Sequence, residues 1–130
     1  MRTTNSAAGD PTLLIVDDEW LIIASIADYF RDLGFAILQA RSADGAIQIL
    51  QRTRVDVVVS DISMPGKLNG LDLAKWLQEE RPAVALILMS GAPQKFDVVE
   101  RLGSPVAFFA KPFGLPALES CIREQLGMAG

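Results

Sequence analysis

The sequence contains no histidine, so the chain can neither carry a phosphohistidine nor catalyse through an imidazole. It has one cysteine, Cys121, which excludes an intramolecular disulfide and fits a reducing compartment, where the residue serves as a small apolar side chain. Basic runs are missing as well. Twelve Lys and Arg against sixteen Asp and Glu leave a net charge of −4, which argues against nucleic-acid binding, where clustered cations must displace phosphate counterions. Apolar runs reach only four to six residues, too short for a bilayer, and Met1 to Asp10 lacks the apolar core of a signal peptide. The expectation is a cytoplasmic chain with a flexible lead-in over residues 1–10, one folded domain over 11–127 and a short tail at 128–130. The 130 residues, half of them hydrophobic, suffice for one domain with its own core. No linker, repeat or low-complexity segment interrupts them.

The apolar runs that are present recur at even spacing: Leu13-Leu14-Ile15-Val16, Ala36-Ile37-Leu38, Val55 to Val59, Val84 to Met89 and Val106 to Phe109. None alternates with polar residues, the pattern of strands covered on both faces of a parallel sheet. Between them lie amphipathic stretches. Ile22, Ile26, Tyr29, Phe30 and Leu33 share one helical stripe; Ala43, Ala46, Ile47 and Leu50 form another, with Ser42 as N-cap. Asn69 caps a third ahead of Leu73, Trp76 and Leu77. Phe96, Val99 and Leu102 mark a fourth, and Leu115, Leu118, Ile122 and Leu126 a fifth, with Pro116 tolerated in its first turn. Five β-then-α units predict an α/β protein, with right-handed crossovers and a three-layer sandwich. Ligands of such sheets sit outside the carboxyl ends of the strands.

The polar residues at those ends therefore carry the functional argument. Asp17, Asp18 and Glu19 follow the first run, Asp61 the third, Ser90 the fourth and Lys111 the fifth. Gathered at one edge, the carboxylates would raise one another's pKa, and a hard divalent cation with oxygen ligands, such as Mg²⁺, relieves that repulsion. Lys111 supplies a compact positive charge, Ser90 a hydroxyl, and a carboxylate can act as nucleophile toward an anionic group beside the metal. Each residue alone has a plainer role. Acids favour a helix start, Asp61 could brace a Pro-Gly turn, Ser90-Gly91 is a common turn pair, and a lone lysine is usually a solvated charge. Four such residues, each after a different strand, are harder to assign to chance.

Asp17-Asp18-Glu19, Asp61-Ile62-Ser63-Met64-Pro65, Ser90 after Ile87-Leu88-Met89, and Lys111-Pro112-Phe113 resemble the receiver domains of two-component response regulators, over about Thr12 to Leu126. The resemblance implies a flavodoxin-like (βα)5 sandwich with a parallel sheet of order 2-1-3-4-5. It implies phosphorylation of Asp61, with Mg²⁺ on the side chains of Asp18 and Asp61, on the Ser63 backbone carbonyl, and on Asp17 through water. Lys111 would pair with Asp61 and then contact the phosphoryl group, Ser90 would swing toward that group, and the Lys111-Pro112 peptide would be cis. The chain departs from the family pattern in three places. The Pro65 to Gly70 loop is one residue longer than the common version. Phe108, with Phe109 beside it, stands where a switch tyrosine is frequent, and Ser90 replaces threonine.

The implied function is a phosphoacceptor, most simply a stand-alone regulator, that takes its phosphoryl group from a sensor histidine kinase or a histidine phosphotransfer protein. It would signal to a downstream output protein through the fourth helix, fifth strand and fifth helix, a surface that could also support a weak homodimer. The chain would catalyse its own phosphorylation and dephosphorylation without being a metabolic enzyme, with no membrane and no direct nucleic-acid partner. A small Mg²⁺-dependent phosphohydrolase with an aspartyl nucleophile is the alternative, but Ser63 stands where its second acid is normally needed. A pure interaction module is a third reading, opposed by the intact set of polar residues. A nucleotide or flavin protein lacks the glycine-rich loop it would require after the first strand.

Overall fold

Strands form where the apolar runs fall. The computed structural model describes residues 10–64, 66–91 and 106–128, in which β1 (Thr12–Val16), β2 (Ala36–Ala40), β3 (Val57–Asp61), β4 (Ala85–Ser90) and β5 (Ala107–Ala110) pair in the order β2-β1-β3-β4-β5. Every pairing is parallel. This is the order expected of a flavodoxin-like sheet. Four helices are described: α1 (Trp20–Asp32), α2 (Ala43–Arg52), α3 (Gly70–Glu80) and α4 (Leu115–Gln125). The helix expected around Phe96, Val99 and Leu102, the two tails apart from Asp10 and Met128, and Pro65 lie outside the described residues.

The helix starts follow their caps. The Ser42 hydroxyl accepts from the Gly45 N–H ahead of α2, and Asn69 forms a full capping box with Asp72 ahead of α3. Pro116 sits in the first turn of α4, where its missing N–H has no intrahelical partner to lose.

Two apolar clusters cover the two faces of the sheet. Leu14, Val16, Val58 and Leu88 pack with α2 and α3 through Ala46, Leu50, Leu73 and Leu77. Leu13, Ile15, Val57, Val59, Ile87 and Met89 pack with α1 and α4 through Ile26, Phe30, Leu118 and Ile122. Tyr29 and Arg123 both donate to the Glu119 carboxylate, at 2.7 and 2.9 Å, which ties α1 to α4 beside that second cluster.

Candidate acidic site at the carboxyl edge

Strand parity sorts the polar residues between the faces before any side chain is considered. Leu13 and Ile15, Val57 and Val59, and Ala107 and Phe109 all belong to the α1/α4 face. Asp17, Asp61 and Lys111 continue these three series by steps of two, so the period of a strand aims all three at one face. Register sets their height. Val16 pairs with Ser60, which puts Asp17 level with Asp61, and Asp61 pairs with Met89. Lys111 lies two residues beyond Phe109, the partner of Met89, and its long stem reaches back. Ser90 and Phe108 have the other parity. Phe108 pairs with Leu88 and packs on the α2/α3 cluster, whereas Phe109 faces α1/α4 with its ring 5.4 Å from that of Phe113.

One carboxylate oxygen from each of Asp17, Asp18 and Asp61 lies within 4.8 Å of the others. Asp17 is wholly buried and doubly held: one oxygen accepts from Lys111 Nζ at 2.8 Å and the other from the Glu19 N–H at 2.9 Å. Lys111 Nζ is 3.4 Å from a Glu19 oxygen and 3.7 Å from Asp61. The expected pairing of Lys111 with Asp61 is therefore present, but the shortest contact is to Asp17. Burial lowers the Lys111 pKa, and the Asp17 hydrogen bond with the charges of Asp61, Asp17 and Glu19 outweighs it, leaving the ammonium above its ordinary value. Burial pushes the Asp61 carboxyl up, Lys111 pulls it down, Asp17 and Asp18 raise it again, and the Ser63 N–H that donates to it lowers it; the result is about 6. Ser90 is buried at the end of β4, Ser63 is exposed just past β3, and the Lys111-Pro112 peptide is cis, as expected.

Three residues play parts that strand-end position alone does not assign. Glu19 reaches Lys111 rather than merely opening α1, whose first turn contains no acidic residue. Arg41, directly after β2, donates to the Asp18 backbone carbonyl at 3.0 Å. Gly70 lies against the backbone of β3: a Cβ there would run into the Asp61 carbonyl oxygen and sit 2.7 Å from the Ile62 Cα. Its signal in the sequence is a glycine directly after a helix cap. Beside Lys111 an apolar groove is lined by Ile22, Ile26, Pro112, Phe113 and Leu115, and Trp20 and Leu21 are largely exposed nearby on α1.

The donor set suits a hard divalent cation: three clustered carboxylates, no nitrogen or sulfur ligand, and one ammonium shared among Asp17, Glu19 and Asp61. A doubly wound parallel sheet with such a cluster and a lysine at its carboxyl edge is the arrangement that the resemblance to receiver domains implies. The family model for the response regulator receiver domain matches residues 13–123, and the chain belongs to that family. It is 30% identical over 128 residues to the transcriptional regulatory protein PdtaR of Mycobacterium tuberculosis, which covers 92% of this chain and 61% of PdtaR. It is 31% identical over 94 residues to the autoinducer 1 sensor kinase/phosphatase LuxN of Vibrio harveyi, covering 71% of this chain and 11% of LuxN. The chain thus spans only part of these curated relatives. A CheY-like receiver domain protein from Methanospirillum hungatei superposes with a TM-score of 0.83 at 22% identity, covering 92% of this chain and 95% of that one. The domain is a two-component signalling module, and receiver domains are not metabolic enzymes. Among the described residues no helix is long and apolar enough to cross a membrane.

Proposed function

We propose that Asp61 of this receiver domain accepts a phosphoryl group from a phosphohistidine on a sensor histidine kinase or a histidine phosphotransfer protein. One observation carries the reading: Asp17, Asp18 and Asp61 converge within 4.8 Å beside Lys111, at the sheet edge where α/β proteins bind ligands. Mg²⁺ would be held by the side chains of Asp18 and Asp61, the Ser63 carbonyl and, through water, Asp17. When bound, the ion would supply positive charge to both the carboxylates and the transferring group. An Asp61 oxygen attacks phosphorus in line, the new O–P bond forms as the P–N bond breaks, and the electron pair stays on the departing imidazole. Lys111 stands ready to contact the phosphoryl oxygens, so the protein's contribution is positioning and charge. The apolar groove beside Lys111, with exposed Trp20 and Leu21, offers the donor protein a surface next to Asp61. Later hydrolysis of the acyl phosphate, by the domain itself, resets it.

Parity supports a switch built on Ser90 and Phe108. Ser90 and Phe108 share the α2/α3 face on adjacent strands, so movement of the Ser90 hydroxyl toward the phosphoryl group vacates space that Phe108 can enter. Phe109 faces the other way, so its orientation supports Phe108 as the switch aromatic. Reversing a 1:99 population requires about 5.5 kcal/mol, and two or three charge-assisted hydrogen bonds of roughly 1.5–3 kcal/mol each can supply it. The output surface is then the one around β5 and α4, read by a downstream protein.

Wild-type protein incubated with acetyl phosphate and Mg²⁺ is expected to take up at most one phosphoryl group per chain, with uptake lost in EDTA and in Asp61→Asn. Labelling of Asp61→Asn at the wild-type rate contradicts the assignment. Multiple turnover of phosphate esters would instead mark a phosphohydrolase, a reading disfavoured by Ser63 at the position of the second acid.

A further inference from the structure

Lys111 holds its three carboxylate neighbours unequally. Asp17, at 2.8 Å, is fully buried and pinned a second time by the Glu19 N–H. Glu19, at 3.4 Å, keeps its side chain 63% exposed, and Asp61 lies farthest, at 3.7 Å. A phosphoryl group on Asp61 would compete with these carboxylates for the ammonium. Asp17 is fixed, so the contact able to yield is the one to Glu19, because an exposed carboxylate regains its hydration at little cost.

We propose that Glu19 is a positioning and selectivity residue for phosphoryl transfer: its carboxylate holds Lys111 back from Asp61 and sets a negative charge at the rim that an incoming phosphodonor must overcome. The inference rests on the assignment of Asp61 as phosphoacceptor. The Glu19 carboxylate repels a dianionic donor more than a monoanionic one, and it does so through solvent, where salt screens it. A protein-borne donor is delivered by docking and is less sensitive to that charge, so Glu19 disfavours small free phosphodonors relative to the partner. In a high-dielectric rim one such charge corresponds to roughly a three- to tenfold change in rate at low salt.

The test compares wild type, Glu19→Gln and Glu19→Asp at saturating Mg²⁺ with dianionic acetyl phosphate and monoanionic phosphoramidate. Glu19→Gln should label roughly three- to tenfold faster with acetyl phosphate at low ionic strength, gain less with phosphoramidate, and lose the advantage near 1 M salt, where the screening length is about 3 Å. Glu19→Asp keeps the charge and should stay nearer wild type with both donors. In metal-free protein the ¹H–¹⁵N signal of the Lys111 ammonium should move in Glu19→Gln. Equal rates for wild type and Glu19→Gln, a gain insensitive to salt, or an unmoved ammonium signal would overturn the proposal. An unlabelled wild-type chain would sink the Asp61 assignment instead, and the ammonium signal would still report whether Glu19 holds Lys111.

Discussion

Replacing Asp61 by asparagine removes a negative charge that the fold holds unwillingly. The carboxyl is buried beside Asp17 and Asp18, with Lys111 3.7 Å away, and its pKa is pushed from 3.8 to about 6. A raised carboxyl pKa means that the folded state prefers the protonated form, so above pH 6 ionisation of Asp61 destabilises the protein. Two pKa units at 1.36 kcal/mol each correspond to roughly 3 kcal/mol at pH 7.5. As pH falls through 6 the folded carboxyl takes up a proton and the penalty shrinks, to about 1 kcal/mol by pH 4.5. Urea denaturation followed by Trp20 and Trp76 fluorescence in EDTA measures this directly. Asp61→Asn should be the more stable protein at pH 7.5, by about 2–3 kcal/mol, and its margin should fall by more than half at pH 4.5. Added Mg²⁺ should narrow the margin at pH 7.5 by stabilising the wild type, in proportion to RT ln(1 + [Mg²⁺]/Kd). A variant no more stable than wild type, or a margin independent of pH, would refute the reasoning.

Lys111→Ala removes a charge from the same site with the opposite outcome, because Asp17 is left fully buried beside two other acids; a loss of about 3 kcal/mol in urea denaturation is expected. That variant should still show a Mg²⁺-dependent Trp20 fluorescence change but no further change with beryllofluoride, whereas wild type shows both. Gly70→Ala forces a methyl group into the Asp61 backbone, so it should cost about 1–3 kcal/mol and slow phosphorylation, read by thermal melts and by acetyl phosphate labelling.

The sheet was legible because buried parallel strands show as apolar runs, and the helix caps because Ser42 and Asn69 carry the local chemistry their positions need. Boundaries slipped where run and ladder differ. The third run begins at Val55 but pairing begins at Val57, although the Asp56 N–H already donates to the Thr12 carbonyl and its carbonyl accepts from the Ala85 N–H, while its carboxylate accepts from the Thr12 N–H. The edge positions of Asp17, Asp61, Ser90 and Lys111 were legible for a related reason: a polar residue directly after an apolar run must sit at the carboxyl edge. Edge position does not rank distances, however. That Lys111 lies closer to Asp17 than to Asp61, and that Glu19 competes for it, depends on how far a long side chain folds back, which sequence spacing does not contain. Which face each of Phe108 and Phe109 takes needed the packing around β5, and the role of Gly70 needed the approach of α3 to β3.

The central claim is that Asp61 itself bonds to phosphorus. Brief incubation with acetyl phosphate and Mg²⁺, reduction with borohydride to trap an aspartyl phosphate as homoserine, and peptide mass mapping locate that bond directly. The account predicts homoserine at position 61 and at no other aspartate, dependent on Mg²⁺; trapping at Asp17 or Asp18, or phosphate retained on a serine or threonine hydroxyl with position 61 unchanged, would contradict it.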